Sequence, residues 1–377
     1  LKKCLLFAAC FALLFALTGC SGYQLENRVL AVCMALDLTE DPHNRLQISV
    51  QISTAEGGET EGSYAIISAR GKDWFDALGM LRGVSTHILS FTQLRAIVVS
   101  EALSQDALFF ALLEDIYQMP QMRSNTYVLV AMGDARTFLE SSKPDIGVSL
   151  SKYIDIVILN TIRQGYAPHS TLGELVRDMG SAGNSGAAPL VMLGAAVKEG
   201  DPPHLPPRNP HDLLPDQLVS EGSGNIRLMG AAVTDGKRTV GTLTGYEVQL
   251  LMLLRGQAEE ILCYAADASV MVRLKKKPRL SICFGAPEVL HVNVFLFGYA
   301  LPDEISSAEE AAEVICADLE ALIKKCQALR ADAIGFGQIA IRGFDTIPRW
   351  EKYDWISRFV HADVKINVEI TPMLGIS

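Results

Sequence analysis

The chain has 377 residues and a formal net charge of −10, from 43 acidic against 33 basic side chains. Hydrophobic residues make up 49% and charged residues 20%, a globular composition that excludes a disordered or collagen-like chain. An acidic body does not bind nucleic acid or anionic lipid by its overall charge, and this length exceeds one ordinary core, so two or three domains are expected.

The N-terminus comes first. Lys2 and Lys3 precede an unbroken apolar run from Cys4 to Leu17, which ends in Leu17-Thr18-Gly19-Cys20. The run is shorter than the ~20 residues of a membrane-spanning helix. It has the parts of a secretory signal with a lipoprotein-type cleavage site. Cleavage after Gly19 would leave Cys20 as the new N-terminus, and only a thiol there can take a diacylglyceryl thioether. Two acyl chains of the palmitate kind suffice for stable anchoring. An uncleaved interfacial anchor is the alternative. No later segment is apolar enough to span a bilayer.

Residues 20–186 are expected to form an N-terminal mixed α/β domain. Arg28 to Leu36, Leu46 to Ile52 and Tyr64 to Ser68 read as strands, the last two as a hairpin. Trp74, Phe75, Leu78, Leu81 and Val84 fall on one helical face. Leu94 to Ser100 is a strand, Leu103 to Tyr117 a helix, and Asn125 to Met132 a strand followed by a short helix capped by Asp134. Ser149 to Arg163 and Thr171 to Met179 are helices, with Ser170 placed to cap the second. Gly180 to Pro189 reads as a domain boundary.

Residues 187–256 are expected to form a middle domain, with strands at 190–197 and 226–233 around a Pro-rich surface loop, 199–224. A short strand and an apolar helix follow in 241–256. Residues 257–377 are expected to form a C-terminal α+β domain. Its strands are 260–265, 269–274, 280–284, 290–298 and a closing strand, 362–370. Ser306-Ser307-Ala308-Glu309 reads as a capping box opening a long helix, 307–329. Behind it Ala311, Ile315, Leu319, Leu322, Cys326 and Leu329 recur at intervals of four, four, three, four and three, one face of an amphipathic helix. The fold class is therefore mixed α/β and α+β, in three sheet-and-helix domains behind a signal peptide, 1–19.

No catalytic constellation stands out. Cys33, Cys263, Cys283, Cys316 and Cys326 are scattered without a CxxC pair and read as buried free thiols. His204 and His211 share the Pro-rich loop with too few further ligands for zinc. No G-x-S-x-G, H-E-x-x-H or Walker pattern occurs. Glu114-Asp115 and Glu309-Glu310 are neighbours on helices and point apart, so they read as solvated charges. Arg273, Lys275, Lys276, Lys277 and Arg279 form a basic cluster. It reads as a solvated strand end and turn, with lipid phosphates or an acidic partner as alternatives. Trp350 and Trp355 read as a satellite core near Pro348.

Four blocks, in order behind the lipobox, carry a likeness. They are Leu25-Glu26-Asn27-Arg28 leading to Ala35-Leu36-Asp37; Asn125 to Ala131 with Gly133-Asp134-Ala135; Gly230 to Val233 with Gly241-Thr242-Leu243 and Tyr246-Glu247; and Asp332 to Gly337 with Pro348, Trp350, Trp355 and an alternating Val/Ile strand. In these the chain resembles the Ger(x)C family, the C-subunit lipoproteins of spore germinant receptors. Ala35 stands where that family usually has Gly, and Thr234 where Phe is common.

The resemblance implies a three-domain protein lipidated at Cys20, on the outer surface of the spore inner membrane. Its partners would be two integral-membrane subunits, a multi-spanning A type and a permease-like B type, in nutrient-triggered germination. It implies no catalytic residue, no cofactor, no metal and no nucleic acid. The Gly335-Phe336-Gly337 turn reads as structural, closing the long helix with Phe336 in the core. A solute-binding lipoprotein of a transporter is the second reading and a cell-wall hydrolase the third. The first of these needs two similar lobes, and no internal duplication is visible.

Overall fold

Residues 28–53, 64–141, 150–193, 212–217, 226–258, 260–265, 268–300 and 305–374 are described by a computed structural model. Cys20, the signal segment, His204, His211 and nearly all of loop 199–224 lie outside these residues.

The first sheet is built on strands buried on both faces. β1 (Arg28–Leu38), β5 (Ala96–Ser100), β6 (Tyr127–Ala131) and β7 (Ala187–Leu193) run parallel at its centre. They read as near-continuous apolar runs, as parallel strands covered by helices do. Antiparallel wings extend both sides: β2 (Leu46–Ser53) and β3 (Tyr64–Gly71) beyond β1, β8 (Ile226–Thr234) and β9 (Thr239–Leu243) beyond β7. The short β4 (Ile88–Ser90) pairs with β1 and brings the described strands of this sheet to nine.

Helices cover both faces. One core gathers Met34, Leu36, Ile97 and Val99 under α1 (Trp74–Val84), α2 (Glu101–Ser104), α3 (Leu108–Tyr117) and α6 (Leu172–Gly180). The other gathers Cys33, Ala35, Val98 and Leu129 under α4 (Ala135–Ser141) and α5 (Leu150–Arg163).

The second sheet runs β10 (Glu260–Ala265), β11 (Ala268–Cys283), β12 (Val289–Ala300), β13 (Asp363–Leu374). The first three are antiparallel, and β13 lies parallel to β12. Parallel neighbours need a crossover, and α8 (Ile305–Ala328) is its longest element. Its Ala311, Ile315, Leu319, Leu322 and Cys326 are buried against the sheet, the face that the spacing predicts. Between the sheets lies α7 (Gly245–Leu254), largely apolar and buried on every side except at Glu247. Thr244 and Glu247 close a capping box at its start. Three short helices, α9 (Phe336–Ala340), α10 (Ile347–Tyr353) and α11 (Trp355–Phe359), lie between α8 and β13.

Several sequence expectations change. The segment 187–256 supplies β7, β8 and β9 to the first sheet, so the boundary expected after 186 falls inside a sheet. Pairing edges, which composition does not encode, decide this. The expected helix 103–117 is two, α2 and α3, interrupted at Gln105–Ala107. Phe75 and Val84 are 63% and 61% exposed, because only Trp74, Ala77, Leu78 and Leu81 face the sheet. Thr171, not Ser170, caps α6, with Glu174 completing the box. The strands expected at 269–274 and 280–284 are one, β11, since its pairing with β12 continues across Pro278. α8 begins at Ile305, so Ser306 falls in its first turn. Cys283 is exposed, unlike Cys33, Cys263 and Cys326.

Candidate functional site

The segment Gly180–Pro189, read from composition as a linker, is a packed joint between the two halves. Gly183 has φ of +82°, a left-handed conformation that suits glycine. A Cβ there would stand 2.6 Å from Trp350 Cζ2. The carbonyl oxygen of Gly183 abuts Gly337 where a Cβ would sit. Trp350 and Trp355 stack with centroids 6.2 Å apart, and Trp350 donates its indole N–H to the Ala182 carbonyl at 2.9 Å. The tryptophans therefore belong to the main core between the sheets, because the pair fills the space that two glycines leave open.

Asp332 holds that joint from the C-terminal side. Its Oδ1 accepts from the backbone N–H groups of Gly335 and Phe336 at 2.9 and 3.1 Å. Its Oδ2 accepts from Gly337 N–H at 2.5 Å and from Trp355 Nε1 at 2.9 Å. The carboxyl is buried, and burial raises its pKa against the lowering effect of these donors. The Gly335-Phe336-Gly337 segment thus opens α9 and does not close α8: Gly335, at φ +97°, is the residue before α9. Phe336 is fully buried, and Arg255 at the end of α7 donates to the Ala333 carbonyl.

A second anchor sits in the first sheet. Asp37, at the end of β1, accepts from the backbone N–H groups of Ala135 and Arg136 at 2.8 and 3.0 Å. It therefore caps the start of α4 from 98 residues away. Burial raises its pKa, with the two N–H donors acting against it. Beside it opens a cleft of about 360 Å³ lined by Asp37, Glu40, Asp41, Arg70, Asp134 and Arg136 among others. Its cations are engaged already: Arg136 with Glu140 at 2.7 Å and Arg70 with Gln47 at 2.9 Å.

The four blocks singled out in the sequence meet in these contacts. Asp37 of the first holds Ala135 of the second. In the third, Ala231, Ala232 and Val233 pair across strands with Leu243, Thr242 and Gly241. Tyr246 donates to Asp318 at 2.7 Å, and Glu247 pairs with Lys325 at 2.6 Å, both on α8. The fourth is the Asp332 anchor.

Sequence reasoning read Asp37 and Asp332 as members of blocks and missed what they do, because all but one of their partners are backbone N–H groups that carry no residue signal. Glu114 and Asp115 are half-buried on α3, and Glu309 and Glu310 are exposed on α8. Among the described residues no group of three or more His, Cys, Asp and Glu side chains could hold a metal. No described helix is long and apolar enough to cross a membrane.

Fold and joint define a two-sheet α+β protein whose marked residues build architecture. Comparison with known proteins places that class. The family model described as spore germination protein N-terminal domain matches residues 22–193, and that described as spore germination B3/GerAC like, C-terminal, matches 299–371. YfkR of Bacillus subtilis (strain 168), named as a spore germination protein, is 20% identical over 380 residues, covering 93% of this chain and 91% of the relative. The crystal structure of the GerBC protein matches with a TM-score of 0.53 at 13% identity, over 90% of this chain and 96% of that one, a likeness of fold. The chain belongs to the Ger(x)C family, the germinant receptor C subunits. That family is not a known enzyme family.

Proposed function

We propose that the chain is a membrane-anchored lipoprotein subunit of a spore germinant receptor, needed for the receptor's assembly and function in nutrient-triggered germination. Diacylglyceryl on Cys20 would hold it at the outer face of the spore inner membrane, beside a multi-spanning A-type and a permease-like B-type subunit. The observation that carries this reading is the use made of the family blocks. Asp37 and Asp332 brace each half from within, and Trp350 ties the C-terminal half to Ala182 beside the first sheet, so the residues of the blocks serve the architecture of the body. Lipid anchoring confines such a body to a thin layer and raises its effective concentration for membrane partners, so modest contacts suffice to hold a complex. The solute-binding reading has less support, since the described strands form sheets of nine and four, not a pair of similar lobes.

A deletion strain lacking redundant receptors tests the proposal. Spores should lose or slow refractility change with one set of nutrients, and should respond normally to agents that bypass receptors. A normal response to every nutrient would overturn it.

A further inference from the structure

Lys275 and Lys276 are neighbours in sequence, yet both reach over the same face of the second sheet. Strict alternation would send one of them inward. Instead the pairing of β11 with β12 shifts register between Leu274 and Lys276 and again between Lys276 and Arg279. Bulges of this kind re-aim side chains. Lys276 Nζ stands 3.5 Å from the ring centroid of Phe295. Lys275 Nζ stands 5.2 Å from that of Phe297 and donates to Thr371 of β13 at 3.1 Å. The basic cluster read as a strand end and turn is therefore mid-strand.

Two more cations extend the patch. Arg279 lies opposite Asn293, and Lys365 lies opposite His291. All four are exposed, whereas Leu274, Leu280 and Ile282 of β11 and Leu290, Val292, Val294 and Leu296 of β12 turn toward the opposite side, into the core. Helices α7, α8 and α9 contribute to that same core, so no described helix covers the outer face. Among the described residues Lys276, Arg279 and Lys365 form no ion pair. Among the described residues the acidic groups on this face are Glu260, paired with Arg273 at 3.9 Å, Glu369, which accepts from Asn367, and Asp363 at the start of β13.

We propose that this face rests on an anionic lipid surface, with Lys275, Lys276, Arg279 and Lys365 among the headgroup phosphates. The inference rests on the reading of the chain as membrane-held, and adds which side meets the bilayer. Charge complementarity favours lipid. The chain as a whole, at −10, is repelled by an anionic surface, so it can approach only by a locally basic face, and the acidic remainder turns the molecule to present that face. A lysine lying over an aromatic ring also combines an apolar body with a charged tip, the arrangement that suits the headgroup boundary.

The test uses the full chain carrying Cys20→Ala, so that no acyl group contributes, with vesicles of phosphatidylcholine alone or with added phosphatidylglycerol. Any attachment through the apolar run 4–17 appears on both. Binding should be stronger on the anionic vesicles and should weaken with salt. Lys275→Gln/Lys276→Gln/Arg279→Gln should lower anionic partition by about 100-fold, roughly fivefold per cation. Arg82→Gln/Arg123→Gln/Lys152→Gln removes the same charge from exposed positions around the first sheet and should lower it far less. Unchanged thermal unfolding of the first variant would show that its loss is not misfolding. Equal binding to both vesicle types, or equal loss in both variants, would overturn the proposal. So would binding to polyglutamate with none to anionic vesicles, which would assign the face to a protein partner. Acyl labelling of Cys20 is measured separately, so failure here leaves the anchor standing.

Discussion

The indole of Trp350 donates to the carbonyl of Ala182 across 168 residues of chain, at 2.9 Å. This bond pins the C-terminal aromatic cluster to a segment whose Gly-rich composition reads as a tether. The two halves are therefore coupled in stability, and a change on one side of the joint should be felt on the other.

Gly337→Ala is expected to destabilise the protein by about 2–3 kcal/mol, because its methyl meets the Gly183 carbonyl. Gly183→Ala adds the strain of a left-handed conformation. Gly79→Ala on α1 is the contrast. Nothing lies within 4 Å of that position, so an alanine should stabilise by about 0.5–1 kcal/mol. Urea unfolding of the three variants checks the order.

Asp332→Asn keeps the shape of the side chain and should still cost about 2–4 kcal/mol. Each carboxylate oxygen accepts from two N–H groups. Whichever way the amide is turned, its NH₂ faces two donors. Loss of the near-ultraviolet signal of Trp355 at lower denaturant than in the parent would report it.

Asp37→Ala leaves the Ala135 and Arg136 N–H groups without their acceptor. A loss of about 1–2 kcal/mol is expected, the usual cost of a helix cap. Hydrogen exchange should quicken first in α4, and exchange in α8 should change less.

Glu288 makes stability depend on pH. It accepts from the Tyr353 hydroxyl at 2.6 Å and from Arg358 at 2.7 Å. Burial pushes the carboxyl up, but these hydrogen bonds outweigh it and hold it below its usual range. Burial, and after it the same contact, push the Tyr353 phenol up to about 12. A depressed carboxyl contributes stability that is full above its unfolded pKa, about 4.3, and is lost as pH falls through the folded value. The urea midpoint should thus drop on acidification below about pH 5. Glu288→Gln should lower the midpoint at neutral pH and flatten that drop. An unchanged acid slope would refute the assignment.

Cys20→Ala should abolish acyl-label incorporation and leave the signal uncleaved, since no other thiol stands at that site. Gel mobility and membrane fractionation measure it, and normal labelling of the variant would sink the lipoprotein reading.

The sequence by itself determined most of the elements and several of their inward faces. The face of α8 from Ala311 to Cys326, the alternation of β13 and the apolar run of β1 are local patterns, and side-chain period is a local property. It also determined the order of the family blocks. Only the tertiary structure decided what those blocks do. Asp37 acts through backbone N–H groups alone and Asp332 through three of them beside the Trp355 indole, so no local residue pattern announces them. The place of β7 to β9 in the first sheet depends on which edge pairs with which. The shared direction of Lys275 and Lys276 depends on a register shift against β12. Each of these is set by contacts between segments far apart in the chain, which no local pattern records.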